Sequence, residues 1–393
     1  MSDKIIITRY EGKIVTAMVE GGKIVEFGCE KEEANSILGN IYVAKVKNIV
    51  KNINAAFVEV EHGLICYYSL TENNNHHYLS AGKDRNLAAG DEILVQVSRE
   101  NVKTKQPTVT ANLNFTGKYL VVTSKKYGIG ISNKIHDDKR VSELKELAKT
   151  FIRGDFGIII RTNAMSASDD DIRNEAERLI YKYDRICQRA SYLKAGQLVD
   201  EAPKGYLSFI RDQKQTCLSE IITDQKDIYE KIAQYLEEEG EEQKILQLFE
   251  KDGIRLDQIY RISHQLKQAL QEKVWLKSGG YLVIQPTEAM TVIDVNTGKA
   301  IKGKKVEDHF LKINLEAARE IGYQMRLRNL SGIIIVDFID MKLPESEEKL
   351  MIEMEKILKK DRIKAMVVDM TKLHLVEITR KKVRKPLLEQ WME

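Results

Sequence analysis

Two segments of this 393-residue chain end apolar, β-branched runs on carboxylates. TVIDVNTGK, Thr291 to Lys299, carries Asp294 and Asn296, and GIIIVDFIDMK, Gly332 to Lys342, carries Asp337 and Asp340. Such runs read as buried strands. Carboxylates brought close repel one another, which raises a pKa unless a hard cation neutralises them. Mg²⁺ takes one or two carboxylates, keeps several waters and leaves room for a phosphate oxygen. An adjacent Asn carbonyl is a suitable neutral oxygen ligand, or can orient a water. A lone Asp at a strand end ordinarily caps the next turn. With two acid-terminated strands, capping and metal-assisted phosphate chemistry stand as even alternatives.

Positioning these groups requires the two strands to be neighbours. Between them, roughly Val306 to Asn329, Phe310, Ile313, Leu315, Ala317, Ala318, Ile321, Met325 and Leu327 recur at helical spacing. A strand, a crossover helix and a second strand place both strands side by side in one sheet. The acids then emerge at adjacent strand ends, where α/β proteins put their chemistry. On a continuing strand Asp340 faces away from Asp337, and it is left outside the metal's immediate ligands.

DVNTGK, followed by EAAREIGYQMRLRNLSGIIIVDFIDM, is very similar to the catalytic core of the ribonuclease E/G family of bacterial endoribonucleases. The resemblance runs from the first strand to about Leu387. It implies that Asp294 and Asp337 are the metal-binding carboxylates, assisted by Asn296, with Mg²⁺ as cofactor and Mn²⁺ as its alternative. It further implies a multidomain α/β (α+β) fold. An RNase H-like subdomain (1–37 and 205–272) would hold an inserted S1-like OB-fold barrel (38–118) and a 5′-phosphate sensor region (119–204). A DNase I-like catalytic domain with a basic tail (273–393) would follow. The implied activity is endonucleolytic cleavage of single-stranded RNA in RNA processing and decay. Substrates with a 5′-monophosphate would be preferred, and products would carry 5′-phosphate and 3′-hydroxyl ends.

The whole composition is compatible. At about 100 to 200 residues per domain the length predicts about two to four domains, and 43% hydrophobic with 31% charged residues is a globular balance. No run of 18 apolar residues is present, and MSDKIIITRYEGK enters an alternating strand pattern directly, without a signal peptide. A cytoplasmic protein without a membrane segment is expected. Cys29, Cys66, Cys187 and Cys217 show no CxxC spacing, so they read as reduced, partly buried thiols. A net charge of +3 excludes the overall basic field of a histone-like binder. Residues 359–393 nonetheless hold ten Lys/Arg against five Asp/Glu, with Arg380, Lys381, Lys382, Arg384 and Lys385 clustered in TRKKVRK. Such a run is usually a solvated face, and beside a phosphodiesterase site it can also contact phosphates.

Residues 2–35 carry two short strand patterns, KIIITRYEG and KIVTAMVEGGKIVEFGCE, with Gly21 and Gly22 placed for a hairpin turn. Residues 203–272 read as mostly helical. Residues 38–118 show short alternating segments separated by Gly, Asn and Asp turns, as in a small barrel. There Phe57, Tyr67, Tyr68 and Tyr42 interleave with Lys45 and Lys47, which fits a single-stranded RNA platform. The alternative is that Phe57 fills the barrel. The resemblance puts Phe57 at an RNA-contacting aromatic and Lys105 at a basic RNA contact. It also departs here: Leu64 stands where a second aromatic is expected, and Gln106 replaces the glycine after Lys105. Arg161 and Thr162 follow the apolar run Gly157 to Ile160, and a guanidinium with a hydroxyl can clamp a phosphate. By resemblance these two are the 5′-monophosphate sensor, supported by Gly117 and Val121, and by Lys372 where other members use a basic residue.

The family commonly continues into a CxxC pair that shares zinc between protomers. This chain ends in KPLLEQWME with no cysteine after Cys217, as a natural short form or an early stop. Zinc is not expected, and a homodimer would use another surface, one including Trp391. Two rival readings are a noncatalytic RNA-binding scaffold of the same fold and a DNA phosphodiesterase.

Overall fold

The computed structural model describes residues 3–32, 36–73, 76–79, 86–100, 106–124, 128–132, 135, 137–203, 205–212, 218–241, 243–251, 253–298 and 306–392. They form a mixed α/β protein that divides into two compact units, Met1–Glu33 with Cys217–Glu393, and Ala34–Thr216. No helix among the described residues is long and apolar enough to cross a membrane.

The first unit begins with an antiparallel meander of β1 (Asp3–Tyr10), β2 (Lys13–Glu20) and β3 (Lys23–Lys31). Both of its two-residue turns, Glu11-Gly12 and Gly21-Gly22, have left-handed φ at both positions. That geometry matches the twist of the paired strands and explains the glycines.

The second unit opens with β4 (Ile41–Val50), β5 (Ala55–Glu59), β6 (Ile65–Ser69), β7 (Glu92–Arg99) and β8 (Thr108–Thr110). Their order is β4-β5-β6-β8-β7, and β7 pairs back onto β4 to close a five-stranded barrel. Alternate residues, among them Ala56, Val58, Cys66, Tyr68, Ile93 and Val95, fill its interior. Next come β9 (Asn114–Thr116), β10 (Leu120–Thr123), β11 (Ile129–Ile131), α1 (Asp138–Lys149) and β12 (Gly157–Ile160). The unit ends with α2 (Asp169–Ala190), β13 (Leu198–Asp200) and α3 (Gly205–Asp212). A sheet ordered β11-β12-β10-β9 packs on α2, while β13 extends the barrel at β4. Helix α2 starts where the Ser168 hydroxyl accepts from Asp171 N, and Asp169, Asp170 and Asp171 sit at its positive end.

The chain then returns to the first unit through β14 (Leu218–Thr223), α4 (Lys226–Glu238), β15 (Leu246–Leu248), α5 (Leu256–Tyr260) and α6 (Ile262–Ala269). The segment is mostly helical, as expected, but it also supplies two strands that were not, because β14 and β15 complete a five-stranded sheet ordered β15-β14-β1-β2-β3. The parallel partner β1 lies more than two hundred residues upstream, so a local reading does not see it. The rest is β16 (Lys273–Trp275), β17 (Tyr281–Pro286), β18 (Met290–Asn296), α7 (Val306–Leu327), β19 (Gly332–Asp337), α8 (Pro344–Leu358), β20 (Ala365–Met370), β21 (Leu375–Arg380) and α9 (Leu387–Met392). Its six-stranded sheet runs β16-β17-β18-β19-β21-β20 and buries Ile284, Ile293, Val295, Ile334, Val336 and Ile378 with apolar residues of α7 and α8.

Ion pairs and a ring stack join the two sheets of this unit. Glu26 accepts from Arg362 at 2.7 and 2.9 Å and from Arg384, and Arg326 pairs with Glu20. Trp391 stacks on Tyr10 with ring centroids 6.1 Å apart. Trp391, expected on a dimer surface, is half-buried, and its ring is stacked within the chain.

Candidate active site

Strands β18 and β19 are parallel neighbours, and in their register Asp294 stands directly opposite Asp337. Helix α7 supplies the crossover. Period-2 alternation sends Ile293, Val295, Ile334 and Val336 into the core, and so sends Asp294, Asn296 and Asp337 to the opposite, open face. Asn296 Nδ2 donates to Asp294 Oδ2 at 2.7 Å, which fixes the amide beside the pair without using its carbonyl oxygen. Partial burial, with the charges of Asp294 and Asp340, raises the Asp337 pKa above its ordinary value. Asp340 is thus felt at the site. Strand β19 ends at Asp337, so the alternation that was to turn Asp340 away does not continue to it.

Two exposed carboxylates and an amide oxygen make a hard, incomplete donor set, which fits a divalent cation that keeps several waters. Among the described residues no group of three or more His, Cys, Asp and Glu gathers for a metal. Asp294 and Asp337 would hold such an ion, and Asn296 would position one of them.

Glycine makes the backbone of this corner possible. Gly298 has φ +72°, and a Cβ there would collide with the Gly279 carbonyl oxygen; a Cβ on Gly280 would lie 2.7 Å from Asn296 O. Gly298 and the SGG stretch are therefore pressed together beside Asn296. Gly298→Ala meets both a backbone penalty and this clash, on the order of 1–3 kcal/mol. It is expected to lower the melting temperature of the unit by roughly 2–10 °C, measured against wild type.

The basic runs that flank β19 lie at its Gly332 end, away from Asp337, and much of their charge is used within the fold. In MRLRNLSG, Arg326 pairs with Glu20, and buried Arg328 donates to Gln324 and to Gln271 O. Asn329, left-handed after α7, donates to Arg384 O and Lys385 O. In TRKKVRK, Arg380 is buried against Asp361 and also donates to Asn329 and Leu330 O. This corrects the reading of the cluster as one solvated or phosphate-facing run. Only Lys381 and Lys382 of its five basic groups are exposed.

On the barrel, Phe57 is half-buried and points outward, opposite Tyr67 in register, with ring centroids 6.2 Å apart. Lys45 and Lys47 are exposed, and Lys47 pairs with Glu59 at 2.9 Å. Tyr42 and Tyr68 are fully buried, so the expected four-ring surface reduces to Phe57 and Tyr67. Lys105 lies outside the described residues.

The remaining group converges between β10 and β12. Val121 pairs with Ile159, and Arg161 N donates to Tyr119 O at 2.7 Å. The Arg161 guanidinium donates to Gly117 O and to Asp212 at 3.1 Å, and the Thr162 and Ser132 hydroxyls bond at 2.9 Å. Gly117, Val121, Arg161 and Thr162 thus share one corner of the second unit. Lys372 belongs to the first unit, in the turn between β20 and β21. Glu175, which sequence reasoning missed, underlies this corner: its buried carboxylate accepts from the backbone N–H of Lys118, Tyr119 and Leu120 at 2.7–2.9 Å. It sits in a helix of many charges, and nothing local distinguishes it.

Known proteins share this chain's pattern. The family model described as "Ribonuclease E/G family" matches residues 114–383. The chain is similar to "Ribonuclease G" of Haemophilus influenzae, 30% identical over 381 residues that cover 94% of this chain and 78% of the relative. It is 28% identical to "Ribonuclease G" of Escherichia coli strain K12, over 98% of this chain and 81% of the relative. "Ribonuclease E" of Nostoc sp. is 32% identical over 88% of this chain and 51% of its own length. The matched segment runs from the corner at Gly117 and Arg161 through the strands that carry Asp294 and Asp337, and with nearly the whole chain aligned to a relative at 30% identity, this protein belongs to the ribonuclease E/G family.

Proposed function

We propose that this protein is a metal-dependent endoribonuclease that hydrolyses phosphodiester bonds within single-stranded RNA, in RNA processing and decay. The observation that carries this reading is the register pairing of Asp294 with Asp337 on an open sheet face, with Asn296 bonded to the first. Two like charges held together are costly to an apoprotein and useful to a cation site. A bound Mg²⁺, or Mn²⁺, would supply Lewis-acid polarisation of a phosphoryl oxygen and a water of lowered pKa. Asp294 and Asp337 would hold it, and Asn296 orients Asp294 or a water. Products with 5′-phosphate and 3′-hydroxyl ends follow from attack by water with the 3′ oxygen leaving.

The barrel, with Phe57, Tyr67 and exposed lysines outward, is assigned to the RNA strand by stacking and phosphate contact. Arg161, Thr162, Gly117 and Val121 are assigned to a 5′-monophosphate. In the free protein Asp212 and Gly117 O satisfy Arg161, so a terminal phosphate must exchange with them. Arg161→Ala is expected to reduce the preference for 5′-monophosphorylated over 5′-hydroxyl RNA by about ten-fold, the worth of a charge-assisted hydrogen bond. The ratio of kcat/KM on the two substrates measures it, and an unchanged ratio removes the sensor assignment while the nuclease assignment stands.

The function itself is tested on matched single-stranded RNA and DNA oligonucleotides with Mg²⁺ or with a chelator. Internal RNA cuts that need the metal are expected. Binding of RNA without cutting would favour a noncatalytic scaffold, and equal cutting of DNA a less selective phosphodiesterase.

A further inference from the structure

Beside the carboxylate pair, the same open face of the sheet carries two aromatic rings and a cation. In register, Trp275 on β16 stands opposite Tyr281 on β17, which stands opposite Asn296 on β18; the adjoining row is Lys273, Val283, Asp294 and Asp337. Leu282, Ile284 and Val295 point to the core, so alternation puts Lys273, Trp275, Tyr281 and Asn296 together on the other side. The rings lie 5.3 Å apart at 60°, and Lys273 Nζ sits 3.7 Å from the centroid of Tyr281 and 4.2 Å from that of Trp275. Trp275 is 65% exposed, in contrast to Trp391, which stacks on Tyr10. At about 5 Å per strand, Trp275 is about 10 Å from the strand of Asp294 and Asn296. Farther along this face, the row at the start of β18 and β19 is Met290, Ile333, Thr379 of β21 and Met366 of β20, with no ring in it, so the rings concentrate on the side of Asn296.

We propose that Trp275, backed by Tyr281 and Lys273, is a base-stacking subsite that takes a nucleobase of the RNA strand next to the scissile phosphate. This rests on the reading of Asp294 and Asp337 as the cleavage site. A large ring left in water gains little for folding, whereas every nucleobase offers a π-face to it. The ammonium between the rings adds a positive charge suited to the adjoining phosphate. The subsite holds the strand flat across the sheet, so that the bond to be cut rests over the carboxylates.

The test combines two variants with two substrates. Trp275→Ala is expected to raise KM for single-stranded RNA by about 5- to 100-fold, with kcat nearly unchanged and most of the loss restored in Trp275→Phe. A substrate with one base removed next to the cut should show the same rise with wild type and no further rise with Trp275→Ala. Independently, Trp391→Phe leaves Trp275 as the sole tryptophan, and its fluorescence should be quenched by oligoadenylate in the presence of a chelator. A KM for Trp275→Ala within about two-fold of wild type, a missing-base effect undiminished in that variant, or unquenched fluorescence at saturating RNA would each overturn the subsite. Should wild type cut no RNA, the nuclease reading fails, and the quenching alone still decides whether Trp275 stacks on a base.

Discussion

Asp337→Asn and Asp294→Asn should each lower Mg²⁺-dependent RNA cleavage by at least about 10²-fold, the scale of losing one preorganised charge at a reacting centre. RNA affinity measured in a chelator should stay within about three-fold of wild type, because the surfaces assigned to phosphate and base contact are untouched. Each substitution keeps size and shape and removes one negative charge from a pair fixed in register. A variant that cuts at the wild-type rate would end the site assignment.

The like-charge arrangement makes a second readout available, one that separates loss of metal from loss of fold. The Asp337 pKa is raised by burial first, then by Asp294 and Asp340. A raised carboxylate contributes to stability below its unfolded pKa, and the contribution is lost as pH rises through the folded value. At neutral pH the metal-free pair is therefore a cost. Asp337→Asn relieves it, so the metal-free variant should melt at or above the wild-type temperature. Mg²⁺ should raise Tm for wild type and not for the variant. On the acid side, cation binding and activity should fall through a pH range above that of an ordinary Asp, because Asp337 keeps its proton longer. Inactivity with a lowered Tm would mean that the substitution damaged the fold and not the metal site.

How far the site could be read from sequence depends on the distance over which each constraint acts. The acid-ended strands and the crossover helix are local patterns, so Asp294, Asn296 and Asp337 stand out from residue types and periods alone. Their register does not, since a slip of one residue would put Asp337 on the core face. The same sensitivity separates Phe57 and Tyr67, which face out, from Tyr42 and Tyr68, which fill the barrel. Long-range partners were illegible. Strand β14 is defined by its pairing with β1, and Arg380 reads as part of a basic run until Asp361 and Asn329 are seen against it. Trp275 and Tyr281 look like ordinary strand residues until two successive registers place them in line with Asn296.

Glu175 is the residue of the corner at Gly117 and Arg161 that is least legible in the sequence. Glu175 accepts three backbone N–H groups of the loop at 118–120, and a side chain on Gly117 would collide with its carboxylate, which explains the glycine. Glu175→Ala strands three buried donors, at about 1–3 kcal/mol each, partly offset by removal of a carboxylate whose pKa burial already raises. A net loss on the order of 3 kcal/mol, or roughly 10 °C in the melting of the unit that contains it, is expected. Glu175→Gln should fall between, because its amide oxygen still serves Tyr119 and Leu120 while its NH₂ meets the Lys118 N–H. The loop also carries the Gly117 carbonyl that receives Arg161. Both Glu175 variants should therefore shift the 5′-monophosphate preference in the same direction as Arg161→Ala, at temperatures where they remain folded. Melting and the substrate ratio together check this. A destabilised variant with an unchanged ratio would show that Glu175 supports the fold alone and that the corner does not read the RNA end.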